Sequence, residues 1–376
     1  MQDETSIERQ LHRDSTFQPP YCPRSTCRFH LKRGEPFWSK HGGKSILRFP
    51  YFTHRFICNH CGKTFSASFF RLDYRQKIWG LNAIIFEDQD GGCSKSHSAR
   101  KIHKGESFVR YRLKRMARWA ELMHTKLTEN TFIEEEIVYD GLENFAFSQY
   151  DPNNINHAIG KKSLFTYEFN FCPLNRKGRM TAAQVKRKKE LEDKYGPYPR
   201  DAIRAKSRDV FRRLLSRTKG RLTLFTDEHF QYERAIEDIR TSKIDHIKIS
   251  SRKHRNFRNH LFAVNNIDMQ ARHFASAFRR ETIAFSKTTI AMQESFFLYI
   301  VNRNYMRPKF FKKHKHDPYS HKRSPAMEIG IMKKILTFEE FFQERVCKTQ
   351  VNLNKDFENL YHSIDPDSRR PIRMTA

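Results

Sequence analysis

The chain has 376 residues, of which 38% are hydrophobic, enough for two or three domains with cores of their own. Lys and Arg total 71 against 42 Asp and Glu, a formal net charge of +29, so the simplest partner is a long polyanion, with an anionic membrane surface as the rival. The longest apolar run, "FFLYIV" at 296–301, falls far short of the roughly 20 residues of a membrane span, and the N-terminus "MQDETSIERQLHRDS" is too acidic and polar for a signal peptide. A soluble, cytoplasmic, nucleic-acid-binding protein is expected.

Residues 1–20 carry no pattern and are expected to form a flexible tail. Residues 21–72 hold two cysteine pairs, "CPRSTC" (Cys22, Cys27) and "CNHC" (Cys58, Cys61), the second followed by Gly62. Each tight turn points two thiolates at one cation, and two turns complete a tetrahedral site, so a zinc ribbon holding Zn²⁺ is predicted. "ILRFPYF" and "HRFICNHCGKTFSAS" alternate well enough for its strands. The first pair is the less diagnostic, and His30, His54 and His60 are possible replacement ligands. Four unrelated thiols or a redox pair is the plainer reading. Cys93, Cys172 and Cys347 stand apart and are expected to be structural.

Residues 73–130 read as a helix-turn-helix. Ile78, Leu81 and Ile85 share one helical face, "DGG" breaks that helix, and Ser94 can cap a second helix with Ala99 and Ile102, ended by Gly105. A third helix opens at Ser107, with Val109, Leu113, Met116 and Ala120 on its inner stripe. Arg110, Arg112, Lys114, Arg115 and Arg118 occupy its other faces and are candidate contacts to DNA phosphates and base edges. An ordinary solvated basic face is the alternative.

Residues 131–308 alternate strands and helices. A strand Ile137 to Tyr139 ends at Asp140, and 156–171 reads as a strand or hairpin. Helices are expected over 179–199 and 200–217, strands over 221–226 and 243–251, and a helix over 265–280. The order is α/β and compatible with an RNase H-like core, a mixed sheet with helices on both faces. Asp227 follows the 221–226 strand, so Asp140 and Asp227 can meet at neighbouring strand ends. Two carboxylates that close repel unless a cation lies between them, and hard oxygen donors suit Mg²⁺ or Mn²⁺. Asp268 is the candidate third ligand, beside the buried stripe Ile267, Ala271, Phe274 and Phe278. Arg272 and Arg279 would share its face and hold phosphates, although a plain Asp268–Arg272 helix pair explains part of that pattern. Glu281 ranks below Asp268 because thirteen positions of helix turn it away. Glu143 and Glu228 are candidates for supporting roles. Residues 309–376 read as a basic C-terminal segment, and "SSRKHRNFRNH" (250–260) and "KFFKKHKHDPYSHKR" (309–323) as backbone-gripping or merely solvated charge runs.

The ordered segments "RFICNHCGKTFS", "GGCSKSHSARKIHKGESFVRYRLKR", "VYDGLENF", "GRMTAAQ", "FTDEHFQY" and "RRETIAFSK" resemble bacterial insertion-sequence transposases with an N-terminal zinc ribbon, a helix-turn-helix and an RNase H-like DDE catalytic domain. "NRNYMRP" and "SPAMEIGI" resemble the C-terminal end of that family, so the likeness runs from about Cys22 onward. It implies Mg²⁺-dependent DNA strand cleavage and strand transfer at transposon ends with two divalent metals and no covalent enzyme intermediate. By position Asp140 matches the first acid and Asp227 the second. Asp268 stands where the family usually has Glu. The implied partners are double-stranded DNA, both transposon ends and target, and further copies of the chain in a homodimer or higher oligomer, in the cytoplasm with the nucleoid. The rival from another class is a non-catalytic DNA-binding regulator or a decayed transposase copy. An RNA-processing ribbon protein is a third reading.

Overall fold

The computed structural model describes residues 16–32, 34–45, 47, 51–279, 282–313, 315 and 317–369. Two bodies of packed apolar side chains organise them. The smaller is built by Tyr21, Phe29, Phe37, Phe56, Phe65 and Phe70 around the four paired cysteines. Its sheet is antiparallel, β1 (Trp38–Ser45), β2 (Phe52–Cys58) and β3 (Thr64–Ser66), in that spatial order. The polar β1 was not legible as a strand. Its register against β2 slips between Lys40 and Gly43, and Gly43 lies so close to the Phe52 ring that any Cβ there would collide with it. Of the expected strand 46–52, residues 46 and 48–50 lie outside the described residues. Residues 16–20 belong to this body rather than to the tail, since the Phe17 ring sits 5.3 Å from Phe70 and 6.0 Å from Phe56. Residues 1–15 of the expected tail lie outside the described residues.

Three helices follow: α1 (Asn82–Asp90), α2 (Lys95–Lys101) and α3 (Glu106–Thr128). Ser94 caps α2, its side chain accepting from the His97 amide as the sequence suggested. Two details differ. Gly80 takes φ +78°, a left-handed backbone that ends any helix there, so Ile78 and Leu81 precede α1 instead of lying on it. Gly105 starts α3 as its N-cap, not the end of α2. Val109, Leu113, Met116 and Ala120 are buried as expected.

The larger sheet has five strands in the order β6-β5-β4-β7-β8: β4 (Ile137–Phe145), β5 (Pro152–Gly160), β6 (Thr166–Pro173), β7 (Leu222–Thr226) and β8 (Ile244–Lys248). The first three form an antiparallel meander, and β7 and β8 add in parallel to β4. The fold is therefore α/β with a mixed sheet. Strand β4 runs past Asp140 to Phe145 because Gly141 extends it rather than stopping it: the Asn154 side chain of β5 fills the space a Cβ would need. Between β6 and β7 lie α4 (Ala182–Tyr195), opened by a Thr181–Gln184 capping box, and α5 (Ala202–Ser216). Helix α5 buries Ile203, Val210, Phe211 and Leu214, each contributing about 2 kcal/mol of apolar transfer. Helices α6 (Phe230–Glu237), α7 (Phe262–Phe274) and α8 (Thr289–Val301) complete the layer. No described helix is long and apolar enough to cross a membrane.

The chain from Leu72 to Leu360 shares one core. Apolar residues of the basic C-terminal segment 309–376 enter this core as well. Short helices α9 (Pro325–Glu328), α10 (Phe338–Phe341) and α11 (Lys355–His362) bury Ala326, Phe341, Phe357 and Leu360 in it. The basic run 309–323 is partly neutralised from within: Lys309 lies 3.4 Å from Glu328, and Arg323 lies 2.7 Å from Asp317 and from Glu328. Near the end, Arg369 pairs with Asp151 at 3.2 Å, both side chains less than a tenth exposed. Arg369→Ala leaves that carboxylate buried without its cation and is expected to cost about 3 kcal/mol of stability, read as a lower urea midpoint at unchanged slope.

Candidate metal centre and acidic cleft

Two tight turns build the first site. Cys58 and Cys61 flank Asn59 and His60, Gly62 relieves the turn at φ +68°, and the Gly62 amide donates to the Cys58 carbonyl at 2.9 Å. Cys22 and Cys27 close the opposite side, the Cys27 amide donating to the Arg24 carbonyl at 3.0 Å. All four Sγ atoms lie within 4.8 Å of one another, with Cys22–Cys61 at 3.6 Å and Cys27–Cys58 at 3.8 Å. A tetrahedron with metal–sulfur bonds of about 2.3 Å needs thiolates about 3.8 Å apart, so the cluster has the dimensions of a metal site. Four thiolates suit Zn²⁺. Burial pushes the Cys22 and Cys27 thiols up, while at Cys61 burial is outweighed by the Lys63 amide and the neighbouring thiols, which bring it down to about 7. The histidine alternatives drop away. His30 contacts the Cys22 carbonyl and Thr349, His54 lies on β2 against Phe52, and His60 stands 3.6 Å from Cys27 outside the four-thiol set.

The second site follows from strand register. Ile137 pairs with Leu224 and Val138 with Phe225, so extending the parallel ladder sets Asp140 beside Asp227. Asp140 pairs directly across β5 with His157, which places that ring on the same face. Helix α7 packs over β4 and β5 and brings Asp268 to it. His157 Nε2 stands 3.0 Å from Asp268 Oδ1, an ion-pair distance in poor hydrogen-bond geometry. Its Nδ1 faces the Ile155 carbonyl at 2.8 Å, which fixes the ring. Asp268 therefore turns inward to a buried histidine. His157 was not singled out from the sequence. The signal was present, a single imidazole in the apolar stretch "NHAIG", but its meaning depends on cross-strand pairing.

Local bonds hold the two strand-end acids. Asp140 Oδ1 accepts from the Gly141 amide at 2.7 Å and from the Tyr232 hydroxyl at 3.3 Å. Asp227 Oδ1 accepts from the His229 amide at 3.0 Å, closing the turn into α6. Burial, then the charges of Asp227 and Asp268, lift Asp140 from 3.8 to about 7. Asp268 draws the His157 imidazole up against the opposing effect of burial. The three aspartates thus share one field. They do not share one contact sphere: among the described residues only the four cysteines bring three or more ligand atoms within 4.8 Å.

Asp140 and Asp227 open into a cavity of about 1590 Å³ lined on its other side by residues of the 174–203 segment. Arg176, Lys177, Arg200, Arg234, Arg272 and Arg279 are among its lining residues. Glu143 lines it as well, while the exposed Glu228 does not. Helix α7 stops at Phe274, with Ala275 extended, so Arg279 reaches the cavity from beyond the helix and not from the face of Asp268. Arg272 donates to the Glu143 and Phe278 carbonyls at 3.1 and 3.3 Å, and Arg279 to the His273 carbonyl at 3.3 Å. Glu281 lies outside the described residues.

The expected basic face of α3 is divided. Arg110 is exposed beside Glu106, and Lys114 is half-buried. Arg112 is buried, donating to Asn82 at 3.0 Å and also to Gln76 and the Ile78 carbonyl. Arg115 donates to the Leu72 and Tyr74 carbonyls at 2.6 and 2.7 Å, and Arg118 to Ser363 at 3.1 Å. These three guanidiniums brace the approach to α1 and the C-terminal helix, and Arg112 is closed to any phosphate. No protein-family model matches the chain, and no curated protein matches it.

Two expectations follow. Cys58→Ser removes one corner of the tetrahedron and should drop bound zinc, measured per chain by plasma emission, from about one toward zero with loss of the β1–β3 sheet signal. Asp140 is raised above its unfolded value, so its contribution is fully present below about pH 3.8 and is lost as pH rises through about 7. With Mg²⁺ withheld, Asp140→Asn should therefore stabilise the protein, increasingly from about pH 5 to about pH 8, toward the order of 4 kcal/mol. Mg²⁺ should raise the wild-type melting temperature more at the higher pH and leave the variant unmoved.

Proposed function

We propose that the chain is a DDE-type transposase that cleaves DNA at insertion-sequence ends and transfers the freed strand. The observation that carries this reading is the register that sets Asp140 beside Asp227 on one sheet face, under Asp268, at the mouth of a cation-lined cavity. Strand order β6-β5-β4-β7-β8, with an antiparallel meander followed by two parallel strands, supports an RNase H-like core. The four-thiol cluster supports a zinc ribbon, and the exposed His97, Arg100, Lys104 and Arg110 at α2 and the start of α3 support a duplex-reading helix-turn-helix.

The acidic donors fit hard divalent cations, and their mutual repulsion is the force that a cation would relieve. Asp140, Asp227 and Asp268 would hold Mg²⁺ or Mn²⁺, which supplies Lewis acidity at the attacking water and at the departing 3′ oxygen. Tyr232 and the Gly141 amide orient Asp140, the His229 amide orients Asp227, and His157 positions Asp268. Arg272 and Arg279 hold the phosphodiester over the acids, and water is admitted from the open side of the cavity. Two ends must be cut together, so the working form is a homodimer or larger assembly on DNA, in the cytoplasm at the nucleoid.

One observation favours a non-catalytic regulator or decayed copy. The three carboxylates do not gather within 4.8 Å, and Asp268, a methylene shorter than Glu, is engaged by His157. Cleavage of labelled DNA bearing the element's ends separates the readings. Mg²⁺-dependent cutting should fall by about 100-fold or more in Asp227→Asn while binding survives. Equal binding by both proteins with no cutting by either, in Mg²⁺ or Mn²⁺, favours the regulator.

A further inference from the structure

Phe230 is one of the exposed large apolar side chains. It is the first residue of α6, three positions after Asp227, and 55% of its surface is exposed. It lines the same cavity as Asp140 and Asp227. The His229 ring lies nearly parallel to it, centroids 5.3 Å apart and planes 11° apart, and the Arg234 guanidinium sits 5.1 Å from its centre. His229 is itself fixed, its amide on Asp227 and its Nδ1 accepting from the Gln231 amide at 3.3 Å. A large apolar ring, with His229 stacked along it and Arg234 over it, is thus still more than half exposed, in a cavity lined by both cations and acids.

That combination has a specific use. Cations such as Arg200 and Arg234 attract phosphates without regard to sequence, and an open aromatic face stacks a base of any kind. Inside a duplex, both faces of every base are covered by neighbours. Only a terminal or unpaired base can offer a face to Phe230. We infer that the acidic cavity receives an unpaired nucleotide of the bound strand, its base stacked on Phe230, so that the site works on frayed or single-stranded DNA rather than on closed duplex. The inference rests on the DNA-processing reading and deepens it. Phe230 is a binding residue, and Asp227 is tied to it through the turn: the acid that faces the phosphodiester and the ring that holds the neighbouring base are separated by two residues, one of which, His229, donates its amide to Asp227.

The test is binding, with divalent cations withheld so that no strand is cut. Two fluorescent hairpins are compared by anisotropy, one blunt and one with about four unpaired nucleotides carrying 2-aminopurine. Wild type, Phe230→Ala, Phe230→Leu and Phe230→Trp are measured, each checked for fold by circular dichroism. Wild type should prefer the overhang. Phe230→Ala and Phe230→Leu should weaken the overhang complex about tenfold and leave the blunt one within about twofold, while Phe230→Trp keeps the preference. The 2-aminopurine emission should be quenched on binding by wild type and Phe230→Trp only. No preference for the overhang, or an equal loss on both hairpins, overturns the inference, as does Phe230→Leu behaving as wild type. A protein that shows the Phe230-dependent preference yet never cuts DNA leaves this inference standing and removes the nuclease reading. A protein that cuts DNA but ignores Phe230 does the reverse, and failure to bind either hairpin removes both.

Discussion

Strands β4 and β7 run parallel and in a register that sets Asp140, within β4, beside Asp227, just past the end of β7. Everything around the cleft is arranged about the cost of that pairing. Burial, and then the neighbouring charges of Asp227 and Asp268, raise the proton affinity of Asp140, its carboxyl lifted to about 7. The fold tolerates the repulsion because Tyr139 and its neighbours anchor the strand from the other face. Tyr139 is fully buried against Phe211 and Tyr232, and its hydroxyl donates to Ser207 at 2.7 Å. Two of the cations on the cavity wall, Arg272 and Arg279, are bonded to backbone carbonyls there. Such an arrangement stores electrostatic free energy at one spot.

The elements legible in the sequence were those whose cause is local. Cysteine turns, the Ser94 cap, the amphipathic stripe of α3 and the breaks around Gly196 and Pro197 each depend on residues a few positions apart. The two strand-end acids were legible because an apolar run that stops at a carboxylate is also a local pattern. His157 was not, since its role exists only through pairing with Asp140 and the approach of α7. Arg112 misled for the opposite reason. A basic residue off the apolar stripe reads as exposed, but α3 is packed on more than one side, and the guanidinium is spent on Gln76, Asn82 and a carbonyl before α1. Arg279 was misplaced because α7 ends at Phe274 with neither Gly nor Pro to announce it. Gly80 did announce a break, and its meaning was missed in favour of periodicity.

The reach of the C-terminal segment 309–376 was the least legible feature. Its composition is basic and its helices are short, which reads as a peripheral basic segment. Its apolar residues nonetheless enter the same core as α1 and α3, and Arg213 on α5 bridges Glu168 and Asp356 at 2.9 and 3.0 Å. Long-range ion pairs of this kind leave no signature in a window of sequence.

One of those long-range contacts governs the order in which the molecule can be completed. The four-thiol body is closed by residues 17–70, yet its outer face is held by the far end of the chain. The Tyr21 hydroxyl donates to the Arg345 carbonyl at 2.6 Å, His30 meets Thr349 at 2.7 Å, and Gln350 donates to the His30 carbonyl at 2.7 Å. Arg345 also lies over the Phe69 ring at 4.5 Å. On the ribosome, the first body can fold while more than two hundred residues are still unmade, but it has nothing to dock against until the segment around Arg345 has emerged. For most of its synthesis the nascent chain carries this four-cysteine head on a leash, with its outer face uncovered until the far end of the chain arrives.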